Sequence, residues 1–219
     1  MTMSRQVLLL AVSIFWPCLA GLADAVLETT TPLSGQGCGK GETALGNLVA
    51  DAVRHAARSD AAFVHAELLK EVVLPVGPVR EAELRRVLVV PQDEIVVLRL
   101  TGQQLRQALE RSVRIYPARN QGFLQVSGVT VVFNPSRPEG SRVADLRVNG
   151  TRVEDGRTYT VAMPSLLAGG AQGYHRIWEK APRVQERRYG TVGDALVEYA
   201  KTRGTLSYRV EGRLKEARQ

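Results

Sequence analysis

YTVAMPSLLAGGAQGY, residues 159–174, is the stretch that best indicates how this chain folds. Its first half alternates larger apolar and smaller side chains, which is typical of a half-buried strand. Gly169, Gly170 and Gly173 then permit backbone conformations that side chains disfavour, and Tyr174 follows them. The pattern predicts a strand that ends in a glycine-rich turn. Such a turn either approaches a ligand with its backbone or returns the chain tightly to the core, and the glycines alone leave both interpretations open.

The composition is that of an ordinary globular domain. The chain has 219 residues, of which 44% are hydrophobic and 23% are charged, and this is enough for one well-packed core. Its formal net charge of +7 favours contact with phosphate groups. The arginines are scattered, and no RNA-binding motif accompanies them, so we expect a solvated basic surface and no nucleic-acid partner.

The first 25 residues have the pattern of a secretory signal sequence. Arg5 supplies the positive charge at the start, a largely apolar run follows, and residues 23–25 form a small-x-small cleavage site. Pro17 interrupts an apolar run that is already short for a membrane span, and the bulky residues before the first cysteine disfavour a lipid anchor. We therefore expect export to the periplasm or the medium, a mature chain that begins at Val26, and no membrane contact after cleavage.

Residues 26–41 show no periodicity, and we interpret them as an extended leader or linker. They contain Cys38, the one cysteine beyond the predicted signal, so we expect no internal disulfide in the mature chain. Residues 42–219 are predicted to form a single α+β domain. Its first helix has an apolar stripe at helical spacing, made of Leu45, Leu48, Val49, Ala52, Val53 and Ala56.

Later segments carry equally local signals. Thr101 is a predicted helix N-cap, and the apolar stripe that follows it reaches Tyr116. Asn149 and Gly150 stand between residues 143–148 and 151–153, which indicates a tight hairpin. Thr191 begins a capping-box pattern that opens a last helix.

Several blocks of the sequence, in the same order, resemble the C-terminal domain of 5'-nucleotidases. They are ETALGNLVADAVR (42–54), TGQQLRQALERSV (101–113), GFLQVSGVTVVF (122–133), the glycine-rich turn at 169–174, and VEGR (210–213). The resemblance covers residues 42–214. It implies an α+β fold with helices packed on a curved or double-layered mixed sheet, and a binding cleft for a nucleotide or another anionic small molecule.

The resemblance also identifies candidate ligand residues, several of which depart from the family pattern. A lysine stands where the family has the arginine of an NGGGIR-like turn, and the two ring positions that stack on the base carry no ring here. The aspartate of the family's GGDG turn is a glutamine, while its glycines are retained as Gly169, Gly170 and Gly173. The resemblance implies that these residues converge on one cleft: Lys70, Gln92, Leu166, Gly169, Gly170 and Gln172.

The absence of the two base-stacking rings lowers the affinity that we expect for a nucleotide. Stacking contributes about 1–3 kcal/mol per base in single-strand nucleic-acid binding. We therefore expect AMP to bind no more tightly than about millimolar, with Lys70 holding the anion. Phe123 and Tyr174 are interpreted as core aromatics, not as stacking platforms.

The sequence contains none of the motifs that carry hydrolysis in this family. In the family, a separate N-terminal metallophosphoesterase domain binds two metals through DxH, GNH and GHxH-like motifs. Here His55, His65 and His175 are isolated in sequence, and no GxSxG motif is present, so we expect no cofactor in this chain. Three hypotheses remain: direct nucleotide hydrolysis, a substrate-binding subunit for a separate metallophosphatase subunit, and an accessory binding module.

Overall fold

The computed structural model describes residues 25–184 and 188–217. Apart from Ala25, the predicted signal sequence lies outside the described residues. The helices are α1 (Ala44–Ala57), α2 (Glu81–Arg86), α3 (Gly102–Ser112), α4 (Ser165–Ala168), α5 (His175–Trp178) and α6 (Val192–Arg203). The strands are β1 (Ala25–Thr29), β2 (Leu33–Ser34), β3 (Ala61–His65), β4 (Val73–Leu74), β5 (Gly77–Arg80), β6 (Ile95–Thr101), β7 (Leu124–Ser127), β8 (Val129–Phe133), β9 (Val143–Val148), β10 (Thr151–Arg152), β11 (Thr158–Pro164), β12 (Thr205–Leu206) and β13 (Leu214–Glu216). Within the described ranges, no helix has both the length and the apolar character needed to cross a bilayer.

The central sheet has the strand order β6-β11-β3-β7 and is mixed. Strand β11, which the opening stretch of sequence predicted, pairs parallel with β3 and antiparallel with β6. Strand β7 pairs antiparallel with β3 at the far side. A second four-stranded sheet has the order β10-β9-β8-β13.

The central sheet is buried on both faces because alternate side chains of its strands enter two different cores. In β3, Ala62 and Val64 join the core formed with α1 and α6. Ala61 and Phe63 point the other way and join the core formed with α3 and the second sheet. The predicted α+β fold, with helices on a double-layered mixed sheet, is therefore confirmed.

The segment expected as a leader, residues 26–41, instead belongs to the fold. Strand β1 pairs antiparallel with β5 and parallel with β12, and β2 pairs with β4. Leu27, Leu33 and Cys38 are almost completely buried. The prediction was wrong because strands of five and two residues are too short to show a period, and their pairing partners lie far along the chain.

The local predictions agree with the structure except at one helix end. Asn149 and Gly150 have φ angles of 50° and 80° between the paired strands β9 and β10, as a tight hairpin requires. Helix α3 begins after the Thr101 N-cap but ends at Ser112, short of Tyr116. The following carbonyls are satisfied from outside the helix, since Arg142 Nη1 donates to the carbonyls of Val113 and Arg114, each at 2.7 Å.

Candidate functional site

One edge of the central sheet gathers the loops that carry the predicted ligand residues. Because β3 and β11 run parallel, their carboxyl ends lie at the same edge, where the antiparallel strands β6 and β7 begin. The segments 65–71, 91–94, 119–123 and 165–174 therefore meet there, and we call this surface the loop edge. Ser165 Oγ donates to the buried Asp93 carboxylate, which ties two of these segments together.

The aromatic residues of the glycine-rich loop belong to the core. Tyr174 is fully buried and stacks on Trp178, with ring centroids 4.8 Å apart and an angle of 7° between the rings. Tyr174 Oη donates to the Gly122 carbonyl at 2.6 Å, and Trp178 Nε1 donates to the Leu167 carbonyl at 3.1 Å. Phe123 is only 1% exposed. The interpretation of Phe123 and Tyr174 as core aromatics is confirmed.

Packing explains why glycine is needed at two positions of this loop. Gly170 has a φ of 97°, and a Cβ there would overlap the first residue of α5, His175. Gly173 has a φ of 76°, and a Cβ there would overlap the guanidinium of Arg111, which donates through Nε to the Gln172 carbonyl at 2.7 Å. Both glycines serve the tight return of the chain.

Two of the six predicted ligand residues line adjoining cavities at the loop edge. Lys70 lines a cavity of about 380 Å³, and Gln172 lines one of about 490 Å³. Arg119 and Gln121 line both cavities. The amide of Gln172 also donates to the carboxylate of Glu67, which lines the smaller cavity.

The other four predicted residues lie at the same edge but outside these two cavities. Gln92, Leu166 and Gly169 are exposed, and Gly170 packs against α5. The structure thus brings all six residues to one edge of the sheet. Lys70 and Gln172 line two neighbouring cavities that share Arg119 and Gln121 as lining residues. The expected convergence on a single cleft does not extend to the remaining four, because α4 directs Leu166 and Gly169 to the surface.

The charges of the smaller cavity are balanced. Lys70 and Arg119 supply two cations, and Glu67 and Glu71 supply two anions. Arg119 Nη2 lies 3.0 Å from Glu71 Oε1, so this guanidinium already has a carboxylate partner. An anion that enters the cavity could therefore pair with Lys70, which has no carboxylate partner among the described residues.

Comparison with known proteins identifies the family. The family model described as "5'-nucleotidase, C-terminal domain" matches residues 23–179 of this chain. The chain belongs to the 5'-nucleotidase C-terminal domain family.

Individual relatives agree with this assignment. A 5'-nucleotidase-related protein of Glossina morsitans morsitans is 31% identical over 203 residues, which is 81% of this chain and 35% of that protein. A snake venom 5'-nucleotidase of Gloydius brevicauda is 35% identical over 127 residues, or 54% of this chain and 21% of that protein. The chain thus spans about a third or less of the length of these curated relatives.

Solved structures show the same fold. The 5'-nucleotidase precursor from Thermus thermophilus superposes with a TM-score of 0.80 at 26% identity, covering 90% of this chain and 40% of that one. The NAD nucleotidase of Haemophilus influenzae has a TM-score of 0.76 at 16% identity and covers 89% of this chain and 38% of that one. This second likeness concerns the fold alone.

Two buried side chains of this 5'-nucleotidase C-terminal domain, His65 and Cys38, lie beside the cavities, and the sequence did not predict them as site residues. His65 ends β3 with only 2% of its surface exposed, and its Nδ1 has no hydrogen-bond partner among the described residues. Burial lowers the pKa of His65, although the nearby Glu67 and Asp93 oppose this effect, so the ring is neutral at pH 7. No sequence signal marked it, since an isolated histidine gives no spacing to interpret.

Cys38 is the second such group. It lines the smaller cavity, and burial raises the pKa of its thiol to about 11. The thiol therefore stays protonated at neutral pH and is a poor nucleophile. Across residues 25–184 and 188–217, no cluster of three or more histidine, cysteine, aspartate or glutamate side chains has the arrangement of a metal site.

Proposed function

We propose that this chain is an exported accessory module that binds a nucleotide or another phosphate-bearing small molecule at the loop edge. The position of Lys70 carries the proposal. It lines a cavity at the loop edge, and it is the cation of that cavity without a carboxylate partner among the described residues. Membership of the 5'-nucleotidase C-terminal domain family supports nucleotides as the first ligands to test.

The same geometry supports weak binding. Glu67 and Glu71 offset the positive charge of the cavity, and the exposed positions 92 and 166 present glutamine and leucine in place of rings. A ligand would gain one ion pair and little stacking, so the dissociation constant for AMP is expected at about 1 mM or above.

Replacing Lys70 with alanine is expected to abolish AMP binding, because the cavity then carries a net negative charge. Ligand-observed NMR titration with AMP and with adenosine measures this effect even at millimolar affinity. Lys180→Ala is the matched control, since Lys180 is also exposed but lies after α5, away from the cavity. Micromolar AMP binding that persists in Lys70→Ala would place the site elsewhere.

A second candidate function is that of the substrate-binding subunit of a two-chain nucleotidase. Val89 and Leu166 favour it, since these large apolar side chains are 52% and 51% exposed beside the loop edge. A partner surface would remove them from water. The matched relatives are also much longer than the region that this chain covers, which is compatible with a metallophosphatase supplied by a separate polypeptide.

The two-chain hypothesis predicts that a metallophosphatase encoded beside this gene co-purifies with this chain from the periplasm or medium, and that AMP hydrolysis requires both proteins. Val89→Asp combined with Leu166→Asp should weaken co-purification about tenfold by burying charges at the interface. Val210→Asp, at a residue 60% exposed outside the loop edge, should leave it unchanged.

Two outcomes would contradict these proposals. Release of phosphate from AMP by this chain alone with divalent metal would exclude an accessory role. Equal co-purification of the double variant would exclude the loop edge as the interface. Amino-terminal sequencing of the same fractions tests export, with Val26 as the expected first residue.

A further inference from the structure

A larger cleft, of about 850 Å³, opens at the end of the central sheet opposite the loop edge. It forms where α1 passes into β3 and where β7 turns into β8, with the 149–150 hairpin and β13 as further walls. None of the six predicted ligand residues lines it. Its lining is strongly basic, with five cationic side chains, Arg54, Arg58, Arg203, Arg213 and Lys215, against two acidic ones, Asp51 and Glu211.

One cation of this cleft is fully neutralised. Arg213 forms a two-pronged ion pair with Asp51, with Nη1–Oδ1 at 2.6 Å and Nη2–Oδ2 at 2.8 Å. Its Nη2 also lies 2.9 Å from Glu211 Oε2. Both acids of the cleft thus pair with Arg213, and five cations against two acids leave the lining with a formal net charge of +3.

Among the described residues, the hydrogen-bond partners of Arg54 are neutral groups. Its Nε donates to the carbonyls of Ser59 and Asp60, at 3.2 and 3.1 Å, and its Nη2 donates to the side-chain oxygen of Asn149 at 2.6 Å. The Nη1 donors are not used in any of these bonds. The guanidinium therefore keeps its charge and has a fixed orientation, so that little ordering is needed when it binds a ligand.

The backbone around Arg54 makes room for this arrangement. Gly128 has a φ of 71°, and a Cβ there would lie 2.7 Å from Arg54 Nε and would overlap the Asp60 carbonyl. A side chain at position 128 would displace the guanidinium. Glycine at this position thus preserves the basic wall of the cleft.

The remaining cations surround Arg54 on three other elements. Arg58 follows α1, Lys215 lies on β13, and Arg203 ends α6, where its guanidinium carbon sits 5.0 Å from the centre of the Tyr199 ring. The negative end of the α1 dipole points into this region and opposes an anion, but Arg54 and Arg58 in and after the last turn offset it.

We propose that this cleft is a second binding site, specific for an anion that carries several linked phosphate groups. A guanidinium fork matches phosphate oxygens in two places. The four cations that have no carboxylate partner among the described residues, and the net charge of +3, suit more than one phosphate. The cleft volume lies within the range of small-molecule sites. A free oligophosphate and the phosphate chain of a nucleoside triphosphate offer the same chemistry.

Calorimetric titration of the exported chain with inorganic tripolyphosphate, ATP and AMP at low ionic strength tests the proposal. Tripolyphosphate and ATP are expected to bind with similar affinities, and AMP about tenfold or more weakly because it presents a single phosphate. Arg54→Gln with Arg58→Gln should weaken tripolyphosphate binding by about tenfold or more.

A second pair, Arg58→Gln with Lys215→Gln, tests the proposal even if the Arg54 change impairs folding. Both of these side chains are exposed, so their replacement should not disturb the fold. This pair is also expected to weaken binding about tenfold. Arg86→Gln with Lys180→Gln is the matched control, because both side chains are exposed and neither lines this cleft or the loop-edge cavities. This pair should retain full affinity for tripolyphosphate. The proposal is overturned if wild-type protein fails to bind tripolyphosphate or if AMP binds as tightly. It is also overturned if the Arg58 and Lys215 pair has wild-type affinity, or if the Arg86 and Lys180 pair loses affinity.

Discussion

Replacing Asp51 with alanine is expected to lower the free energy of unfolding by about 3–5 kcal/mol, the cost typical of removing one member of a buried ion pair. The side chains of Asp51 and Arg213 are only 18% and 12% exposed and form two short bonds. Ser127 Oγ and Tyr208 Oη also donate to Asp51, at 2.6 and 2.7 Å. The variant removes the acceptor that these donors share and leaves the largely buried guanidinium with Glu211, whose side chain is 48% exposed, as its carboxylate partner. Urea denaturation followed by circular dichroism measures the loss.

Asp155→Ala is the matched control. Asp155 pairs with Arg106 at 3.5 Å, but its side chain is 64% exposed, so the change should cost about 0–1 kcal/mol. Replacing Asp51 with leucine together with Arg213→Met should recover much of the lost stability, because no buried charge is then left unpaired. A loss below about 1 kcal/mol for Asp51→Ala would contradict a stabilising role of this network.

The same pair predicts a pH dependence. Burial alone would raise the pKa of Asp51, but the hydrogen bonds from Arg213, and then its charge, hold the pKa below the usual value. A carboxylate with a depressed folded-state pKa stabilises the protein fully above its unfolded pKa of about 3.9, and this stabilisation is lost as the pH falls through the folded-state value. Wild-type protein should therefore lose stability more steeply below about pH 4 than Asp51→Asn does.

Replacing Trp178 with alanine is expected to cost about 3–5 kcal/mol, as large-to-small changes of buried aromatic residues do. Trp178 is 2% exposed, stacks on Tyr174 and donates to the Leu167 carbonyl. Its helix, α5, has only four residues and follows the glycine-rich loop directly, so the Trp178 ring and its bond to the Leu167 carbonyl help to hold the loop in place. Chemical unfolding followed by circular dichroism gives the stability change.

Hydrogen exchange locates the effect of this variant. Amides of residues 165–174 should exchange faster in Trp178→Ala, since the loop loses its anchor. Trp178→Phe keeps a stacking ring and removes only the bond from Nε1 to the Leu167 carbonyl, which still accepts from the Gly170 amide at 2.9 Å. A smaller cost of about 0.5–1.5 kcal/mol is therefore expected. Unchanged exchange in the loop of Trp178→Ala would contradict the role assigned to this ring.

The elements that sequence patterns predicted well depend on neighbours within a few residues. Thr101 and Gln104 form a reciprocal capping box at the start of α3, and both bonds join residues three positions apart. The Asn149–Gly150 turn likewise depends on two adjacent backbone conformations. Such signals are complete within a short window of sequence.

The candidate site was predicted less completely. The six residues that the resemblance implied lie at one edge of the sheet, but they do not include Arg119 and Glu67, which line the cavity with Lys70. No local pattern in the sequence around these residues shows that they line the same cavity as Lys70. Their positions depend on how the 66–71 and 119–123 segments pack after leaving β3 and before entering β7.

The sequence by itself determined the family, the α+β class, the main helices, the hairpin and the glycine-rich turn, because each has a local pattern or a recognisable block of residues. Only the tertiary structure decided that residues 26–41 belong to the sheets and that Gly170 serves packing. It also decided that Asp51 pairs with Arg213, 162 positions away, at one wall of a basic cleft. These features arise from contacts between distant segments, and burial makes such contacts strong without leaving a period or motif in the sequence.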